Sequence, residues 1–131
     1  MHRNPSRPMA PHLTVWKWGP HMVVSILHRV TGAGLAIVGG AALVWWLWAA
    51  ADGADSYTTF TGWARHWLGI LIGIGLTWAL IQHTLGGLRH FALDIGAGYE
   101  LSTNKFWSNV TVAASLLLTA LLWAYLLGVR A

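Results

Sequence analysis

A chain of 131 residues has room for one domain. With 56% hydrophobic and only 9% charged residues it is not a soluble one, since soluble domains carry about 25% charged residues. The lack of cysteine excludes disulfides, thiolate metal or iron–sulfur ligation by this chain, and thiol catalysis, and the net charge of +4 is spread too widely over segment ends to make a nucleic-acid-binding face.

Residues 1–21 form a polar arm punctuated by Pro5, Pro8, Pro11 and Pro20. Proline fixes φ and removes a donor, so the arm is expected to be extended or turned. It carries Arg3, Arg7 and Lys17, with Trp16 and Trp18 where an interfacial aromatic belt belongs. It is too long and proline-rich for the n-region of a signal peptide, and it has no look of a transit peptide.

A first span is expected over residues 22–51. Between Arg29 and Asp52 lie 22 residues without a formal charge, and a span needs about 20. At 1.5 Å per residue the whole helix would be roughly 45 Å long, so it must tilt or project beyond the hydrocarbon. Trp45, Trp46 and Trp48 crowd its far end as a second belt. A short polar connection follows, with Asp52, Gly53, Asp55 and Ser56. The second span is expected over residues 63–92, around the 23 uncharged residues between Arg65 and Arg89. A connection with Gly96, Gly98, Glu100 and Asn104 leads to a third span over residues 106–129, the 24 residues between Lys105 and Arg130. The chain is therefore read as an all-α membrane protein, one domain over residues 1–131 with three transmembrane helices. Trp63, Trp67, Trp107 and Trp123 read as interfacial, and mid-span Trp78 as lipid-facing or packed on a ring.

Orientation follows from the basic residues. With the N-terminus cytoplasmic, Arg3, Arg7, Lys17, Arg29, Arg89 and Lys105 lie inside and Arg65 and Arg130 outside, as the positive-inside rule requires. This arrangement brings residues 25–29 and 89–94 to one membrane surface, so two polar motifs can meet.

The first motif is Ser25-Ile-Leu-His28-Arg29-Val-Thr31-Gly32. Ser25, His28, Arg29 and Gly32 recur at i, i+3, i+4 and i+7, one helical face. Arginine offers five fixed donors and keeps its charge, which suits propionates or a quinone carbonyl; the plainer reading is a snorkelling anchor, with Ser25 bonded back to its own helix. The second motif runs from His83 through Gly86, Gly87 and His90 to Asp94, again one face, at i, i+3, i+4, i+7 and i+11. Two glycines beside an imidazole lower the helix wall and let a flat ligand approach. Ionisable groups are expensive inside a bilayer, so this stripe is a candidate functional site. On its residues alone, His83 reads equally as a haem ligand or as a partner in an interhelical hydrogen bond, and the glycines as a packing groove. His90 reads as a propionate partner or as interfacial, and Asp94 as a cap or an ion-pair partner. His66 reads as interfacial. The third span has no histidine, and three helices enclose a haem poorly, so a partner subunit with more helices is expected. A channel or transporter is disfavoured, because the third span has no polar pathway and no helix is clearly broken.

These residues carry a resemblance over nearly the whole chain. Arg7-Pro8, Pro11-His12-Leu13 and Ser25 to Gly32 form one signature; His83, Gly87-Leu88-Arg89-His90, Asp94 and Gly96 form the second. The chain resembles the cytochrome b subunits of succinate dehydrogenase, the membrane anchors of respiratory complex II in the tricarboxylic acid cycle. Leu93 departs from an aromatic or methionine common there, at a position that is not a ligand. The resemblance implies that His83 is the axial iron ligand of haem b, shared with a second small membrane-anchor subunit. It implies that Ser25 and Arg29 face the ubiquinone site, and that His28, Arg29 and His90 lie near the haem propionates. It further implies iron–sulfur and flavoprotein subunits on the cytoplasmic face, no catalytic activity in this chain alone, and residence in a bacterial-type or a mitochondrial inner membrane, of which the bacterial type is favoured because no transit peptide is seen. A haem-free structural anchor and a self-contained cytochrome with His28 and His83 on one iron are the alternatives.

Overall fold

A computed structural model describes residues 17–129. The arm's His2, Arg3, Arg7, His12 and Trp16, and Arg130 at the other end, lie outside the described residues. The described residues form helices joined by short connections, with no strand among them.

α1 (Pro20–Gly34) starts with proline at its first position, where no backbone donor is needed, behind an extended Gly19 whose carbonyl accepts the Met22 N–H at 3.0 Å. A π turn, Leu35–Gly39, joins α1 to α2 (Gly40–Asp52), and together they make one unbroken rod of 33 residues, about 50 Å long. The π turn is a break in α periodicity that the sequence does not announce. It advances the helix by about one residue, so the Ser25–Gly32 face of α1 is not continued on α2.

Gly53 ends the rod at φ 125°, a conformation open to glycine and strained for other residues. The connection beyond it is not a loop but α3 (Ala54–Arg65), with Asp55 in its first turn and Arg65 in its last, each matched to the helix dipole. Phe60 stands edge-on to Trp45 at 5.1 Å, which ties α3 to the end of α2. His66 is extended, so the second span begins at Trp67 and not at residue 63: α4 is Trp67–Asp94. Gly96, at φ 84°, closes it. Its N–H bonds to the Leu93 carbonyl at 2.8 Å, and the Ala97 N–H bonds to that of Ala92 at 3.0 Å. α5 (Leu101–Gly128) starts five residues ahead of the charge-free run, on a polar first turn.

Pro20–Asp52, Trp67–Asp94 and Leu101–Gly128 are each long and apolar enough to cross a membrane. Their alternating directions put the start of α1, the end of α4 and the start of α5 at one end of the bundle. The packing is inside-out compared with a soluble protein. Leu71, Ile72, Leu117 and Leu121 are exposed, whereas Thr31, Gln82, Ser108, Thr111, Ser115 and Thr119 are buried. Lipid is as apolar as leucine, so large aliphatic side chains gain nothing by leaving it. Close packing and interhelical hydrogen bonds hold the helices instead. In the α4–α5 seam Ser115 donates to Gln82 Oε1 at 2.7 Å, and the Trp78 indole donates to Ser115 Oγ at 3.2 Å. Trp123 is not merely interfacial: its indole lies against Gly73 and donates to Thr77 Oγ1 at 3.2 Å. The third span thus does carry a polar stripe, spent on packing rather than on a pathway.

Candidate functional site

Where α1 crosses α4, both polar motifs interlock. Each helix presents a histidine to a glycine of the other. A Cβ on Gly32 would come within 2.8 Å of the His83 ring, and one on Gly86 within 2.9 Å of His28 Nδ1. The two imidazoles therefore reach past each other and stack, centroids 4.0 Å apart and planes 4° from parallel. His90, two turns beyond His83 on the same face, leans on His28 at 4.9 Å with a 59° tilt.

The hydrogen bonds fix the His83 tautomer. Its Nδ1 lies 3.0 Å from the His28 carbonyl, which can only accept, so Nδ1 carries the proton. The Thr31 hydroxyl gives its single proton to the Leu27 carbonyl at 2.7 Å and turns a lone pair to His83 Nδ1 at 3.3 Å. Nε2 of His83 is then the unprotonated nitrogen, with a lone pair to offer. On α1, His28 Nδ1 is buried without a partner among the described residues. A buried nitrogen left unpaired costs stability unless something binds it.

The expected residues divide in two. His28, His83 and His90 come together. Ser25 and Arg29 stand beside them on α1, Ser25 half-buried and Arg29 exposed. Asp94 is exposed at the last turn of α4, and the cap it was expected to supply comes from Gly96 and Ala97 backbone. No cluster of three or more His, Cys, Asp or Glu suited to a bare metal ion occurs among the described residues. A lone imidazole suits a metal whose other ligands arrive with it, as in haem.

The family model for the succinate dehydrogenase/fumarate reductase transmembrane subunit matches residues 3–122. The chain belongs to this family. The chain is 38% identical to the succinate dehydrogenase cytochrome b556 subunit of Paracoccus denitrificans, over 88% of each chain. It is 35% identical to that of Rickettsia typhi, over 89% of this chain and 90% of the relative. To the mitochondrial cytochrome b560 subunit of Mus musculus it is 31% identical, over 88% of this chain and 68% of the relative. As a succinate dehydrogenase transmembrane subunit, the chain is a membrane anchor and not the catalytic core.

In this transmembrane subunit, sequence reasoning passed over Thr31, which sits in the first motif but off its 3–4 face. Its signal was there to find. A hydroxyl three residues after a histidine, on a helix, can reach both its own backbone and whatever the histidine touches. Gln82 and Ser115 were passed over because neither bears a charge.

Proposed function

We propose that this chain is the cytochrome b membrane anchor of a succinate:quinone oxidoreductase. It binds haem b through His83 and helps form the site where ubiquinone, the substrate, is reduced. The observation that carries the reading is the His83 environment. An Nδ1–H held by a backbone carbonyl is the outer-shell arrangement that orients a ligating imidazole and raises its basicity. Gly32 and Gly86 let the imidazoles of His83 and His28 lie against the facing helix, which holds the two rings at the α1–α4 crossing. The unpaired His28 Nδ1, in the tautomer that carries its proton there, is a donor suited to a propionate, with His90 against the same ring and Arg29 next in the chain.

A b-type haem held by His83 would supply one-electron transfer. The protein's own part is to orient and to stabilise. Arg29 brings a permanent charge and five donors to a quinone oxygen, and Ser25 a hydroxyl donor one turn away. Both would stabilise negative charge that develops as the oxygen is reduced, before protons arrive from the nearby surface. His28 and His83 stack ring on ring at 4.0 Å, with no space for a flat group between them, so this pair would not hold a haem by itself. The second ligand, and the helices that complete the enclosure, are assigned to a second small anchor subunit. The iron–sulfur subunit would deliver electrons at the surface where α1 begins, with the flavoprotein behind it. By the positive-inside rule that surface would be the cytoplasmic face, and the Paracoccus and Rickettsia relatives support a bacterial-type inner membrane.

In the assembled complex, His83→Ala is expected to abolish the b-type band in a reduced-minus-oxidised spectrum. An unchanged band with normal subunit composition would remove the ligand role. Arg29→Leu is expected to lower quinone reduction at least tenfold while succinate oxidation by a soluble dye persists. Equal loss of both activities at normal assembly would remove its quinone role.

A further inference from the structure

A cleft of about 430 Å³ lies between the last turns of α4 and the first turns of α5. Leu88 and Ala92 wall it on one side, Val110 and Ala114 on the other, and no residue of α1 lines it. The α4 residues of the cleft sit roughly 140° to 280° around the helix from His83, at 100° per residue. The cleft is therefore a separate place from the histidine cluster, on the far side of α4.

Its chemistry is graded from end to end. At the mouth are Arg89 and Asn104, with Thr103 beside them; below, the lining is aliphatic apart from Trp107 and Thr111. The Arg89 guanidinium donates to Asn104 Oδ1, which turns it into the helix pair and leaves its other donors available. Lys105 stands exposed next to the mouth, and no acidic residue lines the cleft. From Thr103 to Ala114 the groove follows α5 for about 16 Å, close to the roughly 15 Å depth of one leaflet's hydrocarbon. Just below Ala114 the Ser115–Gln82 hydrogen bond draws α4 and α5 together, so the groove ends there. A transmembrane helix of a partner would need a groove through both leaflets; this one serves a single leaflet.

We propose that this cleft binds one anionic phospholipid. Its phosphate sits at Arg89 and Asn104, Lys105 favours the negative headgroup, and one acyl chain lies along the groove to Ala114. The membrane that surrounds the bundle supplies the ligand at high local concentration.

The test is native mass spectrometry of the intact complex, delipidated in detergent and then offered phosphatidylglycerol or phosphatidylcholine. The wild type is expected to retain one phosphatidylglycerol and at least tenfold less phosphatidylcholine. Arg89→Gln is expected to lose that preference, and Ala114→Phe, which fills the groove and keeps the charge, to lose the lipid itself by at least tenfold. Should Arg89→Gln fail to assemble, Ala114→Phe alone decides. Equal retention of both lipids by the wild type, or undiminished retention by Ala114→Phe, overturns the proposal. So does efficient cross-linking of Leu88→Cys to another subunit in native membranes, which would put a protein in the groove.

Discussion

α4 has two buried faces, and they are built on opposite plans. Towards α1 it offers His83, Gly86, Gly87 and His90: rings set against glycines, with His28 Nδ1 unpaired across the contact among the described residues. Towards α5 it offers Thr77, Trp78 and Gln82, whose polar atoms are mostly paired with Ser115 and Trp123. Only Gln82 Nε2 is left without a partner there among the described residues. Each face leaves one buried nitrogen unpaired among the described residues, so the difference is one of construction: stacked rings over glycines on one side, a chain of hydroxyl, amide and indole hydrogen bonds on the other.

That contrast can be broken from either side. The largest effect is expected from Gly86→Leu, whose Cβ would already meet His28 Nδ1 at 2.9 Å. The added side chain drives the two helices apart, and the complex is expected to lose its b-type spectrum altogether. Gly75→Leu, on the same helix with open space around it, is the control and is expected to keep the spectrum. Ser115→Leu strikes the seam instead. Ser115 is fully buried, so the extra bulk is expected to cost about 1–3 kcal/mol by overpacking, plus about 0.6 kcal/mol for each of the two interhelical hydrogen bonds lost, to Gln82 and from Trp78. It should lower the thermal midpoint of the solubilised complex while leaving the position of the spectral band unchanged. A shifted band would mean that seam and site are one unit.

The smallest effect lies outside both faces, at the cap of α5. Ser102 and Thr103 hydroxyls donate to the Glu100 carboxylate at 2.6 and 3.2 Å, and these bonds, Ser102 first, hold its pKa below the ordinary glutamate value. A carboxyl depressed in the folded state stabilises it above the unfolded pKa, about 4.3, and that stabilisation is lost as pH falls through the lower folded value. Protection of the first-turn amides of α5, taken relative to the intrinsic exchange rate at each pH, is therefore expected to fall below about pH 4 in the native chain. In Glu100→Gln that acid step should be absent.

Much of this was legible before any fold was in hand, and the rest was hidden for physical reasons. The stripe from His83 to His90 follows from 3.6-residue periodicity, and α4 does present it as one face; Asp94, two turns further, runs past the end of the α1 contact and stays exposed. The Ser108, Thr111, Ser115 and Thr119 stripe has the same periodicity. It was passed over because hydroxyls carry no charge and blend into an apolar run. α3 was hidden because a threonine-rich stretch with a glycine is a weak helix former; Phe60 packing on Trp45 is a contact between distant residues.

By itself, then, the amino-acid order determined that three apolar helices cross a membrane and which residues could do chemistry within them. Transfer to lipid is summed residue by residue along the chain, and faces repeat with a fixed period, so neither needs a neighbour. Only tertiary structure decided that His83 leans on the His28 carbonyl, that Thr31 joins it, and that Gly32 and Gly86 each receive a ring. Those facts depend on the depth and rotation at which α1 meets α4, which is settled by packing across the gap between two helices and is written in neither one alone.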